Sequence, residues 1–425
     1  MEQKVGYRDV LSQTEYVKMM SAALINRFGD SIDAIAATWI TYELTKSASW
    51  SALIYAVNTL PTVFITPLAG VWVEGRNKKR IMIITDIIRC LCVGFVATAF
   101  LLGFLQAWML IITNLIISTV EAFRGPANTS LIPRVLDEKV YSFGMSLSST
   151  LSSIVQLIGM GCAAGIIAAV GTSGALYIDM ATFVLSALII AFVNSGEKDA
   201  EKTRFNASEY FKNLKDGFGY VSKDSVMRFF MLYTIFLNVI LVPLNSLQAP
   251  MASEVLNSGA GALSVLSIAV TVGMLLGSVT FPYISAKISD RLLSFICGIG
   301  TGLFYLILIV FKPFYTNPLM VYTVLAIASI ILGMCVSAGT SLMSVIFMKK
   351  VDRQYIARAA SISTAVGVAA TPVASFIVSI GVSFISTSTF FVTAGILDIV
   401  VISILVLNKA MKTENEALVQ VENME

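Results

Sequence analysis

The sequence predicts an all-α membrane protein with twelve transmembrane helices in two pseudo-symmetric six-helix bundles. Three observations predict it. The 425 residues are 56% hydrophobic and 13% charged, with a mean hydropathy of +0.82, whereas soluble domains carry roughly a quarter charged residues. Apolar runs of about 20 residues, the length that crosses the hydrocarbon as a helix, recur twelve times. A polar segment divides them six and six.

The runs lie near residues 16–44, 50–73, 80–104, 107–127, 143–170, 173–194, 226–249, 259–287, 291–312, 317–347, 357–384 and 388–408. Nothing of soluble-domain size remains between them. The domain boundaries that follow are 1–194 for the first bundle, 195–225 for a linker, 226–408 for the second bundle and 409–425 for a tail. Lys and Arg near helix ends stay on the cytoplasmic side. Of the 29 Lys and Arg, only Lys46 and Lys312 fall in loops assigned outside and only Arg27 and Arg89 lie well within helices, so both termini and the tail are expected in the cytoplasm. The first fifteen residues are polar and no small-residue cleavage site follows a short apolar core, so the first helix is expected to be uncleaved.

Composition also excludes classes. The net charge of +3 reflects that asymmetry and gives no reason to expect nucleic acid as a partner. There is no histidine, which removes the usual metal ligand and the usual proton carrier near neutral pH. The five cysteines, Cys90, Cys92, Cys162, Cys297 and Cys335, fall within apolar runs, and no disulfide framework is expected. No catalytic residue, metal or cofactor is expected. Any proton chemistry must use carboxylates.

In the linker, Phe205, Tyr210, Phe211, Leu214, Phe218 and Val221 recur at helical spacing among lysines. They fit an amphipathic helix on the inner leaflet or a solvated connector. The halves echo each other at an offset of 211 residues, ANTSLIP at 127–133 aligning with AGTSLMS at 338–344, each at the inner end of the fourth helix of its half. Repeats related across a central interface let secondary transporters build a site that opens to either side.

The loop GVWVEGRNKKR, residues 70–80, resembles the signature loop of the major facilitator superfamily, G-x-L-A-D-R-x-G-R-[RK]. The resemblance implies a latch between neighbouring helices at the cytoplasmic face. Gly70 would permit close helix approach, Glu74 stands at the acid position, and Lys78, Lys79 and Arg80 supply the basic end. Gly75 and Asn77 depart from the pattern, with Arg76 able to substitute from the next position. A weaker relative of this loop lies near Lys287, Asp290 and Arg291.

GDSIDAIAATWITYELTKSAS at 29–49, FRGPANTSLIP at 123–133, and the NVILVPLNSLQAP and GMLLGS segments are similar to the drug-exporting branch that includes macrolide-efflux and siderophore-efflux proteins. That resemblance implies proton-coupled efflux of bulky amphipathic molecules from a bacterial inner membrane by alternating access, through a cavity between the bundles. Protons, lipids and a small-molecule substrate are the expected partners, and the expected state is a monomer. Exporters of this kind usually carry a Gly-Pro pair in helix five, where this chain has GMGCAAG at 159–165, so an importer or facilitator of a small solute stays open. Pro372, in helix eleven, is positioned to supply a comparable bend. No GxxxxGK[ST] loop is present, so ATP is not the direct driver. A membrane-embedded enzyme or a receptor is the distant alternative.

Charged side chains inside the membrane cost about 2.5–3.5 kcal/mol on insertion scales and usually serve a pathway. Asp30 and Asp33 fall near the middle of the first helix, within about 60° of each other on its surface. Arg27, one turn below Asp30, is the expected partner of Asp30, which leaves Asp33 to exchange a proton for a cationic substrate or to hydrogen-bond a neighbouring helix. Glu121 is either a second proton site or a strut paired with Arg124 or Arg27. Asp86 and Arg89, three apart, fit an intrahelical pair. Asp179 and Asp398 sit at loosely matching places in the two halves, with Asp398 the reserve proton site. Trp39, Tyr42, Asn58, Gln156, Asn238 and Asn245 are the uncharged candidates for a cavity wall. Pro243 and Pro250 are expected to bend or end helix seven.

Overall fold

A computed structural model describes residues 7–74, 76–196, 225–350 and 356–407. Most of the linker and the tail lie outside the described residues, and the amphipathic-helix reading falls there. The chain forms two compact units, Met1–Phe205 and Asn206–Glu425. Among the described residues all regular structure is helical.

The first unit contains α1 (Tyr7–Leu11), α2 (Thr14–Thr45), α3 (Ala48–Phe64), α4 (Thr66–Glu74), α5 (Lys78–Leu101), α6 (Ala107–Val135) and a run Tyr141–Ala191. That last run would be about 75 Å long as one straight helix, far more than a bilayer needs. It breaks at Gly171, whose φ of 74° and ψ of 172° suit a residue without a Cβ. The arms on either side, 141–170 and 172–191, are α7 and α8. In the second unit α9 (Ser225–Ser246) is followed by a short α10 (Gln248–Pro250) that runs into a π turn, Met251–Val255, and then by α11 (Ala260–Ser285), α12 (Asp290–Val310), α13 (Pro318–Lys350), α14 (Ile356–Phe384) and α15 (Thr387–Leu407).

Eight helices among the described residues are long and apolar enough to cross a membrane outright, and the pair α9–α10, bent by 55°, makes nine. Counting α7 and α8 separately gives ten. The other two are α2, long enough but rich in charge, and α3 with α4, joined at Ile65. Twelve spans result, six in each unit.

Helix pairing repeats between the units. In the first, α2 packs on the α7–α8 run, α3 on α6, and α5 on both α6 and the α7–α8 run; in the second, α9 packs on α14, α11 on α13, and α12 on both α13 and α15. The α11–α13 crossing is close enough that a Cβ at Gly273 or Gly277 would strike the backbone of Ile330 or Met334, and one at Gly333 would strike that of Val270. Small residues four apart allow this approach in an apolar solvent, where dispersion drives helix association.

Helix α5 is apolar outside and polar inside. Ile84, Ile87, Leu91 and Phe95 are exposed while Thr85, Asp86 and Arg89 are buried. Lipid accepts the first set; only a protein interior can hold the second. Its first turn is capped by Asn77, whose side chain accepts from Arg80 N at 2.9 Å.

Helix α9 bends where Pro243 removes a backbone donor. The Tyr305 hydroxyl of α12 donates to Ile240 O at 2.6 Å and accepts from Leu244 N at 3.3 Å, the two groups that an unbent helix would join to each other. A side chain inserted into the ladder is a recognised cause of a kink.

Candidate functional site

A polar cluster fills the interior of the first unit, and each helix contributes a stripe. Asn26, Asp30 and Asp33 follow at spacings of four and three on α2. Asp86 and Arg89 are three apart on α5. On α8, Asp179, Thr182 and Ser186 occupy positions i, i+3 and i+7 of an otherwise apolar helix. Such spacings put each set on one face, and those faces meet.

Two buried ion pairs organise the cluster. Arg124 of α6 grips Asp86 with Nε at 2.5 Å from Oδ1 and Nη2 at 3.2 Å from Oδ2. Ser186 Oγ donates to Asp86 Oδ2 at 2.7 Å and Asn26 Nδ2 donates to Oδ1 at 3.3 Å, so this fully buried carboxylate is satisfied on both oxygens. Arg89 Nη2 donates to Asp30 Oδ1 at 2.6 Å, and its guanidinium stacks on the Phe183 ring at 4.2 Å. Arg27 Nη2 meets Gln156 Oε1 of α7 at 2.5 Å.

These partners differ from those expected. Asp30 takes Arg89 from α5 and not Arg27; Asp86 takes Arg124 and not Arg89; and Glu121 forms no strut with Arg124 or Arg27, whose side chains are engaged elsewhere. Spacing along one helix permits an intrahelical pair, but in a bundle each charge gains more by bridging to a different helix, where it satisfies a partner that is also shut away from water.

Asp33 is half-buried near the middle of α2 and makes no hydrogen bond or ion pair among the described residues. Asp30, Arg89 and Glu121 lie within its electrostatic reach. Glu121 itself is exposed on α6. Asp179 is fully buried.

A cavity of about 330 Å³ opens beside the cluster, lined by Ala23, Asn26, Arg27 and Asp30 of α2, Arg124 of α6, and Ser149, Ser152, Ser153 and Gln156 of α7. Asp30 therefore stands between cavity and interior, with Arg89 behind it. Of the uncharged candidates, Gln156 lines this cavity. Asn58 of α3 donates to Asn114 of α6 at 3.3 Å, Asn238 donates to Thr234 O on its own helix at 2.9 Å, Tyr42 is buried, Trp39 is half-buried and Asn245 is exposed.

In the 70–80 loop a Cβ at Gly70 would meet nothing within 4 Å, so the close approach expected there is absent among the described residues. Arg76 stacks on Trp72 at 3.8 Å. Lys79 lines a second, basic cavity with Asn77, Arg80 and Asn194. The side chain of Glu74 lies outside the described residues.

In the second unit Asp398 of α15 is fully buried. Its Oδ2 accepts from Thr301 Oγ1 of α12 at 2.6 Å. Among the described residues its Oδ1 has no partner and no guanidinium or ammonium is paired with it.

Sequence reasoning missed Asn26, Ser186, Thr182, Phe183 and the serines of α7, and left Asp179 without a role. The polar stripe on α8 was the available signal; the serines carried none, because serine is common inside membrane helices.

Membrane-spanning helices that enclose paired and unpaired ions beside a polar cavity are the construction of a secondary transporter. The sequence model of the Major Facilitator Superfamily matches residues 19–320, and the chain belongs to that family. The uncharacterised MFS-type transporter YkuC of Bacillus subtilis is 26% identical over 343 residues, 77% of this chain and 76% of that protein. Macrolide efflux protein A of Streptococcus pyogenes is 22% identical over 338 residues, 78% of this chain and 80% of that protein. The solved structure of the nucleoside transporter NupG matches with a TM-score of 0.73 over 94% of this chain and 98% of that one, at 14% identity, a likeness of fold alone.

Proposed function

We propose that this transporter is a proton-coupled exporter of bulky amphipathic compounds, macrolide-like or cationic, working by alternating access in a bacterial cytoplasmic membrane with both termini inside. The observation that carries the reading is Asp33, an unpaired carboxyl in the middle of a membrane helix and one turn from a carboxylate that is paired. Similarity to macrolide efflux protein A supports the substrate class.

In the proposed cycle Asp33 holds a proton while the cavity faces outward and loses it inward as substrate arrives. Asp30, on the cavity wall and salt-bridged to Arg89, couples the two events: a cationic substrate competes with Arg89 for Asp30, and the displaced guanidinium stabilises Asp33 as a carboxylate. Glu121 and Asp398 are further candidates for protonation, and the 70–80 loop closes the inner side. Each proton moving down a 100 mV potential supplies about 2.3 kcal/mol, enough for a gradient of about 50-fold in an uncharged substrate; a monocation exchanged one for one with a proton moves no net charge and is driven by the pH difference alone, unless a second proton enters with each cycle.

The test is extrusion of ethidium and erythromycin from cells and inverted vesicles, with and without a protonophore, for wild type beside Asp33→Asn and Glu121→Gln. The expected outcome is gradient-dependent extrusion that Asp33→Asn abolishes at normal expression. Extrusion that survives collapse of the proton gradient overturns antiport.

A further inference from the structure

We propose that Asp179 on α8 is a second proton-binding carboxyl of the coupling cluster, so that a full cycle carries two protons through the first unit. The inference rests on the exporter reading for its purpose and on separate observations for its substance.

The first observation is an imbalance of charge. Asp30, Asp33, Asp86, Glu121 and Asp179 supply five carboxyls to the cluster, while Arg27, Arg89 and Arg124 supply three guanidiniums. Arg124 is committed to Asp86 through two hydrogen bonds and Arg27 to the neutral Gln156. Arg89 is thus the cation left for the rest, and Asp30, Glu121 and Asp179 all lie within its electrostatic reach. Glu121 is exposed on α6, but one guanidinium still cannot neutralise Asp30, Asp33 and Asp179 together where an uncompensated buried charge costs several kcal/mol; an acid that lacks a cation there takes up a proton instead.

The second observation is the setting of Asp179. Its side chain is fully buried. Oδ1 is met only by Thr182 Oγ1, at 3.3 Å, whose one proton goes chiefly to Asp179 O at 2.7 Å, and Oδ2 has no partner among the described residues. A carboxyl kept solely as a structural acceptor would have both oxygens engaged, as Asp86 has. Across the interface Arg89 Nε is also buried and has no hydrogen-bond partner among the described residues, so the guanidinium that bonds Asp30 through Nη2 keeps a donor in reserve.

The third is Gly29. A Cβ at this position of α2 would overlap the side chains of Asp179 and Thr182, so the absence of one lets the α2 backbone lie directly on the α8 stripe and brings Asp179 level with Asp30 and Asp33. The titratable and charged groups that face Asp179 are Asp30 and Asp33 from α2 and Arg89 and Cys90 from α5.

Together these assign a route. A proton entering at the cavity wall reaches Asp30 or Asp33, and Asp179 takes the next one while Arg89 stays with Asp30. With Asp33 and Asp179 both protonated, three carboxylates face three guanidiniums and the cluster is neutral. Discharge to the cytoplasm returns both protons, and Arg89 Nε then has Asp179 as a partner.

Infrared difference spectroscopy of the full chain in liposomes, stepped from about pH 9 to about pH 5, tests this without any substrate. The expected wild-type minus Asp179→Asn difference holds a protonated-carboxyl stretch that grows as the pH falls, distinct from the one removed by Asp33→Asn. A difference that is flat with pH overturns the proposal. Asn is isosteric with the protonated acid and is expected to fold; should it not, Thr182→Val is read in its place, where the pH at which the band appears must move, and an unmoved band overturns the assignment. The band is independent of transport, so wild-type failure to extrude ethidium with the band present refutes the exporter reading alone.

Discussion

At the scale of single residues, the buried ions divide into those with partners and those without. Asp86 has four hydrogen bonds from three other helices, and its role is to hold them together. Removing one member of a buried pair leaves the other uncompensated and typically costs about 3–5 kcal/mol. Arg124→Gln is therefore expected to lower the thermal unfolding midpoint in detergent sharply, and Asp86→Asn combined with it to recover much of the loss. A double variant no more stable than the single one would show that the pair is not the source of the effect. Asp30→Asn differs: it frees Arg89 to face Asp33 and Asp179, so proton coupling is expected to fail while the fold persists, read as extrusion lost with an unchanged unfolding midpoint.

The sequence showed which residues would be buried and charged, because an ion in an apolar run is conspicuous. It did not show who pairs with whom. Arg27 and Asp30, or Asp86 and Arg89, are close enough on one helix to pair, and only the packing of α2, α5, α6 and α8 decides that each reaches across an interface instead. Asp33 stood out by sequence for its distance from Arg27, and it stands unpaired in the structure through a different cause, the capture of Arg89 by Asp30.

At the scale of elements, bends and crossings are set by a few side chains. Tyr305 bridges Ile240 O and Leu244 N at the bend of α9. Tyr305→Phe strips both groups of that partner and is expected to destabilise the second unit by about 1–3 kcal/mol, seen as a lower unfolding midpoint; an unchanged midpoint would mean the kink closes on itself. Pro243 made the bend legible in the sequence, while the tyrosine on another helix, 61 residues away, gave no local sign. In the GMLLG segment of α11, Gly273 and Gly277 are the residues that let α11 lie against the backbone of α13. Gly333→Leu is expected to split that contact and abolish folded protein, measured by size-exclusion profile, whereas Ile331→Leu on the exposed side of the same helix is expected to leave it intact.

The ends of α2 and α8 are tied by Glu15, which lies just outside the apolar stretch. Its carboxylate accepts from Lys18 Nζ at 2.8 Å and from Asn194 N at 2.6 Å, and the Lys18 hydrogen bond, the largest influence, holds its proton affinity below the usual carboxylate range. A group held low in this way contributes stability above its unfolded value and loses it as the pH falls through the folded one. The tie is therefore intact at neutral pH and released in acid, a loss of hydrogen-exchange protection near residue 194 that Glu15→Gln should produce at pH 7.

At the scale of the whole molecule, twelve spans in two units with mirrored helix pairing make a transporter of the Major Facilitator Superfamily. This architecture is legible because apolar runs of bilayer length and the polar segment between the sixth and seventh are plain in the residues themselves. Two spans are less plain: α2 is rich in charge because it carries the proposed coupling site, and α3 with α4 is broken at Ile65. The same charges that obscure α2 as a span set it apart as the helix of the proposed coupling site.

The most direct measurement is proton movement into proteoliposomes loaded with a pH-sensitive dye, set going by an erythromycin gradient, with erythromycin counterflow followed in parallel. Wild type is expected to move protons against erythromycin, and Asp33→Asn to lose the proton signal while keeping counterflow. Proton movement in Asp33→Asn at the wild-type rate would contradict the account.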